Sequence, residues 1–219
     1  MSLSTAQNDL LRQLGTSLDN GLTTDEASAR REQDGHFNIV TPPINCPAWA
    51  CVLLPCIKHV PSMKIFGQIK PDDAEVLRNS KWVRYDSGSL VKGDIIRLEE
   101  GDIVPADCVV LTVDSVDELL VDVRYSTGED KPRSAQPTSA TNPSAVAATA
   151  KPIQLFWGGQ VVQGSTRAVV TAIGPNTLTA SLIRESKFPP RGNVMQERAG
   201  FSEDVESGIA LIGQNEGIQ

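Results

Sequence analysis

The stretch Ser126-Thr127-Gly128-Glu129-Asp130-Lys131-Pro132 places a threonine, a glycine and two adjacent carboxylates in one short segment. Gly128 can take a positive φ, and Pro132 disfavours helix in the residue before it, so the segment reads as a tight acidic turn. A carboxylate on such a turn can accept a proton from a water molecule at hydrogen-bond distance. Two roles are therefore open to Glu129: a base, or a turn residue without chemistry.

A second set of candidate ligands is Cys46, Cys51, Cys56 and His59, spaced C-x4-C-x4-C-x2-H. Four soft ligands in a short span can hold zinc. The usual C-x2-C clamp is missing and the neighbours are apolar, so packed thiols are expected and no metal site. The spacing is not that of a disulfide framework either, and reduced thiols, including Cys108, are the expectation.

The chain has 219 residues, enough for one sizeable domain with appended helices. Aromatic residues make up only 5% of it, so a core must be built from Val, Ile and Leu. Net charge is −7 without a basic block, which argues against nucleic acid as a partner, because phosphate neutralisation needs clustered Lys and Arg. Met1 to Leu14 is polar and reads as no secretory signal. Pro47 to Ile57 is the most apolar run, but it falls short of the roughly 20 residues a spanning helix needs, and no direct membrane span is expected.

The elements that must carry the turn can be read in order. Residues 4 to 14 form a helix with a Ser4–Gln7 capping box, ended by Gly15. A second helix begins at the Thr23–Glu26 box and stops at Gly35, with a weak apolar face of Ala27 and Ala29. From Trp82 the pattern turns to strands: Ile95, Ile96 and Leu98, then Cys108 to Val113, then Leu119 to Val123. Residues 158 to 174 read as a hairpin turned at Gly164 to Thr166. Residues 133 to 150 are rich in Ser, Thr, Ala and Pro and read as a disordered loop. Phe201, Val205, Ile209 and Ile212 recur at helical spacing and suggest an apolar docking stripe. The division expected is a helical segment 1–40, a connector 41–73, a β domain 74–186 and a linker with an amphipathic helix 187–219. The fold class is mainly β with flanking helices, that is α+β, with antiparallel strands.

Leu90 to Cys108 carries two Gly-Asp pairs, Gly93-Asp94 and Gly101-Asp102, followed by Pro105-Ala106-Asp107. In that register the segment resembles the opening of the actuator domain of P-type ATPases, a distorted antiparallel β-roll of the jelly-roll kind. The turn at 126–130 falls where that family carries Thr-Gly-Glu-Ser. Residues 158–177 resemble the strand pair that follows. Residues 21–40 resemble the amino-terminal segment of cation pumps, closest to the plasma-membrane proton-pump branch.

The resemblance implies a role for the turn. Thr127, Gly128 and Glu129 match the dephosphorylation loop, in which the glutamate positions and deprotonates the water that attacks an aspartyl phosphate on a separate phosphorylation domain. Asp130 departs from the family serine and adds like charge beside a phosphate. Val123 to Ser126 also depart from the apolar and small residues usual there.

The resemblance also implies parts that this sequence does not show. The connector 41–73 stands in place of the first two membrane helices. Asp130-Lys131 is followed by Pro132, not by the Thr-Gly-Thr of a phosphorylation motif, and no nucleotide-binding loop is recognisable. The expectation is an actuator-like domain without catalysis on its own and without a cofactor, ATP and Mg belonging to the parent family. Its expected partner is the phosphorylation domain of a P-type ATPase. Its expected location is the cytoplasm, including the cytoplasmic face of a membrane. A regulatory module docking on a pump or another protein, or one chain of a split pump, is the alternative. For Glu129 as an exposed turn residue, Glu129→Gln is expected to change stability by no more than about 0.5 kcal/mol.

Overall fold

The computed structural model describes residues 3–45, 60–136, 153–192 and 194. Two helices open it, α1 (Thr5–Gln13) and α2 (Thr24–Asp34). Helix α3 (Pro61–Ile69) precedes β1 (Asp73–Arg78) and β2 (Lys81–Asp86). Then come β3 (Ile95–Leu98), β4 (Asp107–Val113), β5 (Leu119–Asp122) and the single turn α4 (Arg124–Thr127). The remainder is β6 (Arg133–Ala135), β7 (Gln154–Leu155), β8 (Gln160–Gln163), β9 (Thr166–Ala172) and α5 (Leu178–Arg184).

The strands form two antiparallel sheets, ordered β2-β1-β3-β9-β4-β7 and β6-β5-β8. Side chains alternate across each strand, and the central strands of the larger sheet are covered on both faces, whereas the edge strand β2 is largely exposed. Val76, Ile96, Val110, Ala168 and Val170 pack with Leu119, Val121 and Val161 of the smaller sheet. Their neighbours Leu77, Ile95, Val109, Leu111 and Val169 pack with Leu11 of α1 and its C-cap Leu14 instead. Burial on both faces explains why β4 is an unbroken apolar-rich run. A third cluster joins Phe66 and Ile69 of α3 to Phe156, Trp157, Leu178 and Leu182.

Both amino-terminal helices have the capping boxes read from the sequence, and Gly35 closes α2 in the left-handed conformation. Gln7 of α1 donates to the carbonyls of Val110 and Leu111 at 2.9 and 3.0 Å. Those carbonyls lie where β4 slips register against β9, so the amide serves backbone acceptors at the irregularity. Helix α2 buries Ala27 but not Ala29. Polar contacts make up the difference: Arg30 reaches the Lys92 carbonyl at 2.8 Å and Arg31 the Ser89 carbonyl at 2.7 Å. Both amide hydrogens of the Asn38 side chain are used, donating to the Ser87 and Pro105 carbonyls, and its oxygen accepts from the Gly174 amide.

Four sequence readings need correction. The strands start at Asp73, not Trp82, because β1 and β2 form a hairpin across Asn79 and Ser80, both at positive φ. An Asn-Ser pair there gives a weaker hairpin signal than Asn-Gly. Residues 160–172 are not a hairpin: β8 pairs with β5, whereas β9 crosses to the other sheet between β3 and β4. The amide of Asp114 bonds to the Ser165 carbonyl where the chain changes sheets. Residues 133–135, read as the start of a loop, form β6 on β5, because backbone pairing does not require an apolar period. The segment read as a connector contains α3, started by Pro61 at its first turn and held by burial of Phe66 and Ile69. Cys46, Cys51, Cys56, His59, most of the 133–150 segment and the 201–212 stripe lie outside the described residues.

The joint between the amino-terminal segment and the β1–β2 turn gives a local prediction. Asn79 and Ser80 donate their amides to the Leu22 and Asn20 carbonyls. Gly21 sits at φ +65, and a Cβ there would lie 1.9 Å from the Leu77 carbonyl oxygen. Gly21→Ala therefore combines the left-handed penalty of roughly 1–2 kcal/mol with a backbone clash. The amides of Asn79 and Ser80 are expected to exchange faster with solvent, while those of β4 and β9 keep their protection. Equal loss across β4 and β9 would show that this joint supports the whole domain rather than one edge.

Candidate functional site

The turn at 126–130 is built as an extension of β5. The chain leaves Asp122, makes the single turn α4, and is capped by Gly128 at φ 73, ψ 14. The Gly128 amide donates to the Arg124 carbonyl at 2.8 Å. This left-handed cap is the conformation glycine adopts at no steric cost, and it swings Glu129 out of the helical path.

Two hydroxyls fix the turn from below. Ser126 and Thr127 are fully buried. Ser126 Oγ donates to the Trp157 carbonyl at 2.8 Å, and Thr127 Oγ1 donates to the Val123 carbonyl at 3.0 Å. The Glu129 amide in turn approaches Thr127 Oγ1 at 3.4 Å. Ser126, a departure from the family pattern, thus has a definite structural task. Glu129 is half-buried, whereas Asp130 and Lys131 are exposed.

Glu129 is not the contact-free side chain expected from the sequence. Arg133 Nε donates to Glu129 Oε2 at 3.0 Å and Arg133 Nη2 to Oε1 at 2.6 Å, a two-pronged ion pair. Each side chain is only 18% exposed, which takes the pair out of the class of solvent-screened surface bridges. Arg133 also donates to the Gln154 carbonyl and lies over the Phe156 ring, 5.0 Å from its centroid. Losing one charged hydrogen bond of such a pair costs about 1.5–3 kcal/mol, which replaces the 0.5 kcal/mol ceiling for Glu129→Gln.

The acids of the two Gly-Asp pairs and of Pro-Ala-Asp serve the scaffold. Asp94 is wholly buried against Arg78, and Asp102 accepts from the Glu99 amide at 2.8 Å. Asp107 accepts from the Trp157 amide at 2.9 Å and the Leu178 amide at 2.7 Å. The Trp157 carbonyl receives Ser126 Oγ and Thr179 Oγ1. The backbone of one residue, Trp157, therefore links the Asp107 carboxyl to the acidic turn through its N–H and its carbonyl. Burial pushes the Asp107 carboxyl up to about 6, against the opposing pull of those two amides. Sequence reading picked out Asp107 as a motif residue but not as a support of the turn, since its partners lie 50 and 71 residues away.

The chemistry this arrangement offers is narrow. It presents one fixed carboxylate with a guanidinium beside it, at the tip of a rigid turn. Among the described residues no group of His, Cys, Asp and Glu side chains is placed to hold a metal ion. Also among them, no helix is long and apolar enough to cross a membrane.

Residues 68–187 match the family model described as P-type ATPase actuator domain, and residues 5–54 match that described as cation transporter/ATPase, N-terminus. The endoplasmic reticulum calcium ATPase srcA of Aspergillus fumigatus is 38% identical over 106 residues, covering 48% of this chain and 11% of that protein. Calcium-transporting ATPase 1 of Schizosaccharomyces pombe is 33% identical over 157 residues, covering 69% and 17%. A probable plasma membrane ATPase of Dictyostelium discoideum is 31% identical over 114 residues, covering 51% and 9%. The chain thus spans between 9% and 17% of the length of these relatives. Among solved structures, a zinc-transporting PIB-type ATPase in its E2.Pi state aligns at 21% identity and TM-score 0.42, over 55% of this chain and 17% of that one.

Proposed function

Since this chain belongs to the P-type ATPase family, carrying its actuator domain, we propose that the turn 127–130 serves the dephosphorylation of an aspartyl phosphate in a cation-transporting ATPase. The partner is the phosphorylation domain of such an ATPase, met at the cytoplasmic face of a membrane. The matched relatives include calcium ATPases and a plasma membrane ATPase, so the proposal stands at cation transport and names no ion.

The observation that carries this reading is the fixed Glu129 carboxylate at the tip of a turn whose Ser126 and Thr127 are buried. In the proposed step, Glu129 accepts one proton from a water molecule. The water oxygen forms a bond to phosphorus, the phosphorus–oxygen bond to the partner aspartate breaks, and aspartate leaves as a carboxylate with inorganic phosphate as the other product. Asp130 works against the step, because a second carboxylate beside the phosphate adds like-charge repulsion, which solvent and the adjacent Lys131 reduce.

The test adds the full chain to an actuator-deleted pump trapped as its aspartyl phosphate, at saturating concentration. The wild-type chain is expected to accelerate dephosphorylation, and Glu129→Gln to reduce that acceleration by about 100-fold or more, the usual contribution of a positioned base. Asp130→Ser is expected to raise the rate. Equal rates with and without the wild-type chain would leave the turn as a structural element only.

A further inference from the structure

We propose that Arg133 is the positioning residue for Glu129, holding its carboxylate in the orientation from which it takes the water proton. This rests on the reading of the turn given above. Four consecutive residues separate a helical cap from a strand, and among the described residues the Glu129 backbone is tied by the long, 3.4 Å contact of its amide with Thr127 Oγ1. A glutamate side chain on such a stem has several rotamers. Arg133 removes that freedom by engaging both carboxylate oxygens, at 2.6 and 3.0 Å.

Arg133 is itself held on independent sides. Its backbone lies in β6, opposite Val121 of β5. Its guanidinium donates to the Gln154 carbonyl of β7 and lies over the Phe156 ring. The position of Glu129 is thereby referred to the body of the domain. A carboxylate offers roughly four acceptor sites, and the two-pronged pair uses one on each oxygen, leaving each with room for a water hydrogen. The planar fork of arginine fits this arrangement; the point charge of a lysine does not. The same guanidinium has five N–H groups, of which three are engaged, by Glu129 and by the Gln154 carbonyl.

The experiment compares wild type, Arg133→Met, Arg133→Lys, Glu129→Gln and the Arg133→Met/Glu129→Gln double variant, all as full chains. Dephosphorylation of the trapped pump is followed against chain concentration, and backbone exchange of Gly128 and Glu129 is followed in the free chain. Arg133→Met is expected to lower the maximal rate by about tenfold or more, in line with the cost of a misplaced catalytic group, and to leave the half-saturating concentration unchanged. Arg133→Lys, which keeps the charge, is expected to fall between. In the Glu129→Gln background Arg133→Met is expected to change nothing further, and in the free chain it is expected to speed exchange at Gly128 and Glu129. If wild type accelerates the reaction, Glu129→Gln does not, and Arg133→Met equals wild type, then the positioning role fails and the reading of the turn stands. A shift in half-saturation alone, or an equal loss in the Glu129→Gln background, assigns Arg133 to docking or to folding and overturns the proposal. If Arg133→Met does not fold, Arg133→Lys decides: a maximal rate equal to wild type overturns it. No acceleration by the wild-type chain removes the reading of the turn, and the proposal with it.

Discussion

Arg78→Met is expected to destabilise the protein by about 3–5 kcal/mol, the cost of stripping one partner from a buried ion pair. Arg78 and Asp94 have side-chain exposures of 5% and 0%. Arg78 Nε and Nη2 donate to the two Asp94 oxygens at 3.0 and 2.6 Å, and the guanidinium lies 4.8 Å from the Tyr85 ring centroid. Asp94 Oδ2 also accepts from the Val91 amide at 2.9 Å. The pair thus ties the end of β1 to the first Gly-Asp turn. Methionine occupies similar volume but leaves the Asp94 carboxylate in the interior without its cation. At about 2–4 °C per kcal/mol for a protein of this size, the melting temperature is expected to fall on the order of 10 °C. Urea unfolding monitored by tryptophan fluorescence measures it. Arg78→Met combined with Asp94→Leu removes both charges and is expected to recover much of the loss. A loss below about 1 kcal/mol for the single change would contradict the burial of the pair.

The second large effect is a pH dependence centred on Asp107. Its folded-state value is raised from 3.8 to about 6, chiefly by burial. The folded state therefore binds a proton that the unfolded chain has already released between those values. The favourable contribution is complete below about pH 4 and is lost as pH rises through 6. At 1.36 kcal/mol per unit, the change is about 3 kcal/mol. Asp107→Asn removes the titration, though one of the Trp157 and Leu178 amides then faces the Asn NH2 group. The variant starts less stable, and relative to wild type it is expected to gain about 2 kcal/mol between pH 4 and 6.5, most of the full change. Urea unfolding of both proteins across that range isolates Asp107 from the other carboxyls. A relative gain for wild type instead would mean that the two amide hydrogen bonds outweigh burial.

Thr23, Glu26 and Gly35 marked the limits of α2 because a cap joins groups three or four residues apart, within reach of local sequence. The β-branched runs at Ile95–Leu98 and Cys108–Val113 showed strands for a similar reason, since alternation along the chain sets which side chains share a face. Thr127, Gly128 and Glu129 were legible as a turn, and with Gly93 to Asp107 they carried the family. The partners of those residues were not legible. Glu129 and Arg133 are four apart but straddle Pro132 outside any helix, so no periodicity announces their pair. Asp94 meets Arg78 across 16 residues, and Asn38 meets Gly174 across 136. The sheet change between Gln163 and Thr166 has the same origin. Gly164 and Ser165 look like a hairpin turn, yet β9 is drawn into the gap between β3 and β4, where Ala168, Val169 and Val170 are completely buried. Short-range hydrogen bonds, strand-forming runs and the residue types at the turn follow from local sequence. Strand order and charge pairing arise with packing, because burial of apolar area and of charge depends on the whole folded domain and is not written in any local window.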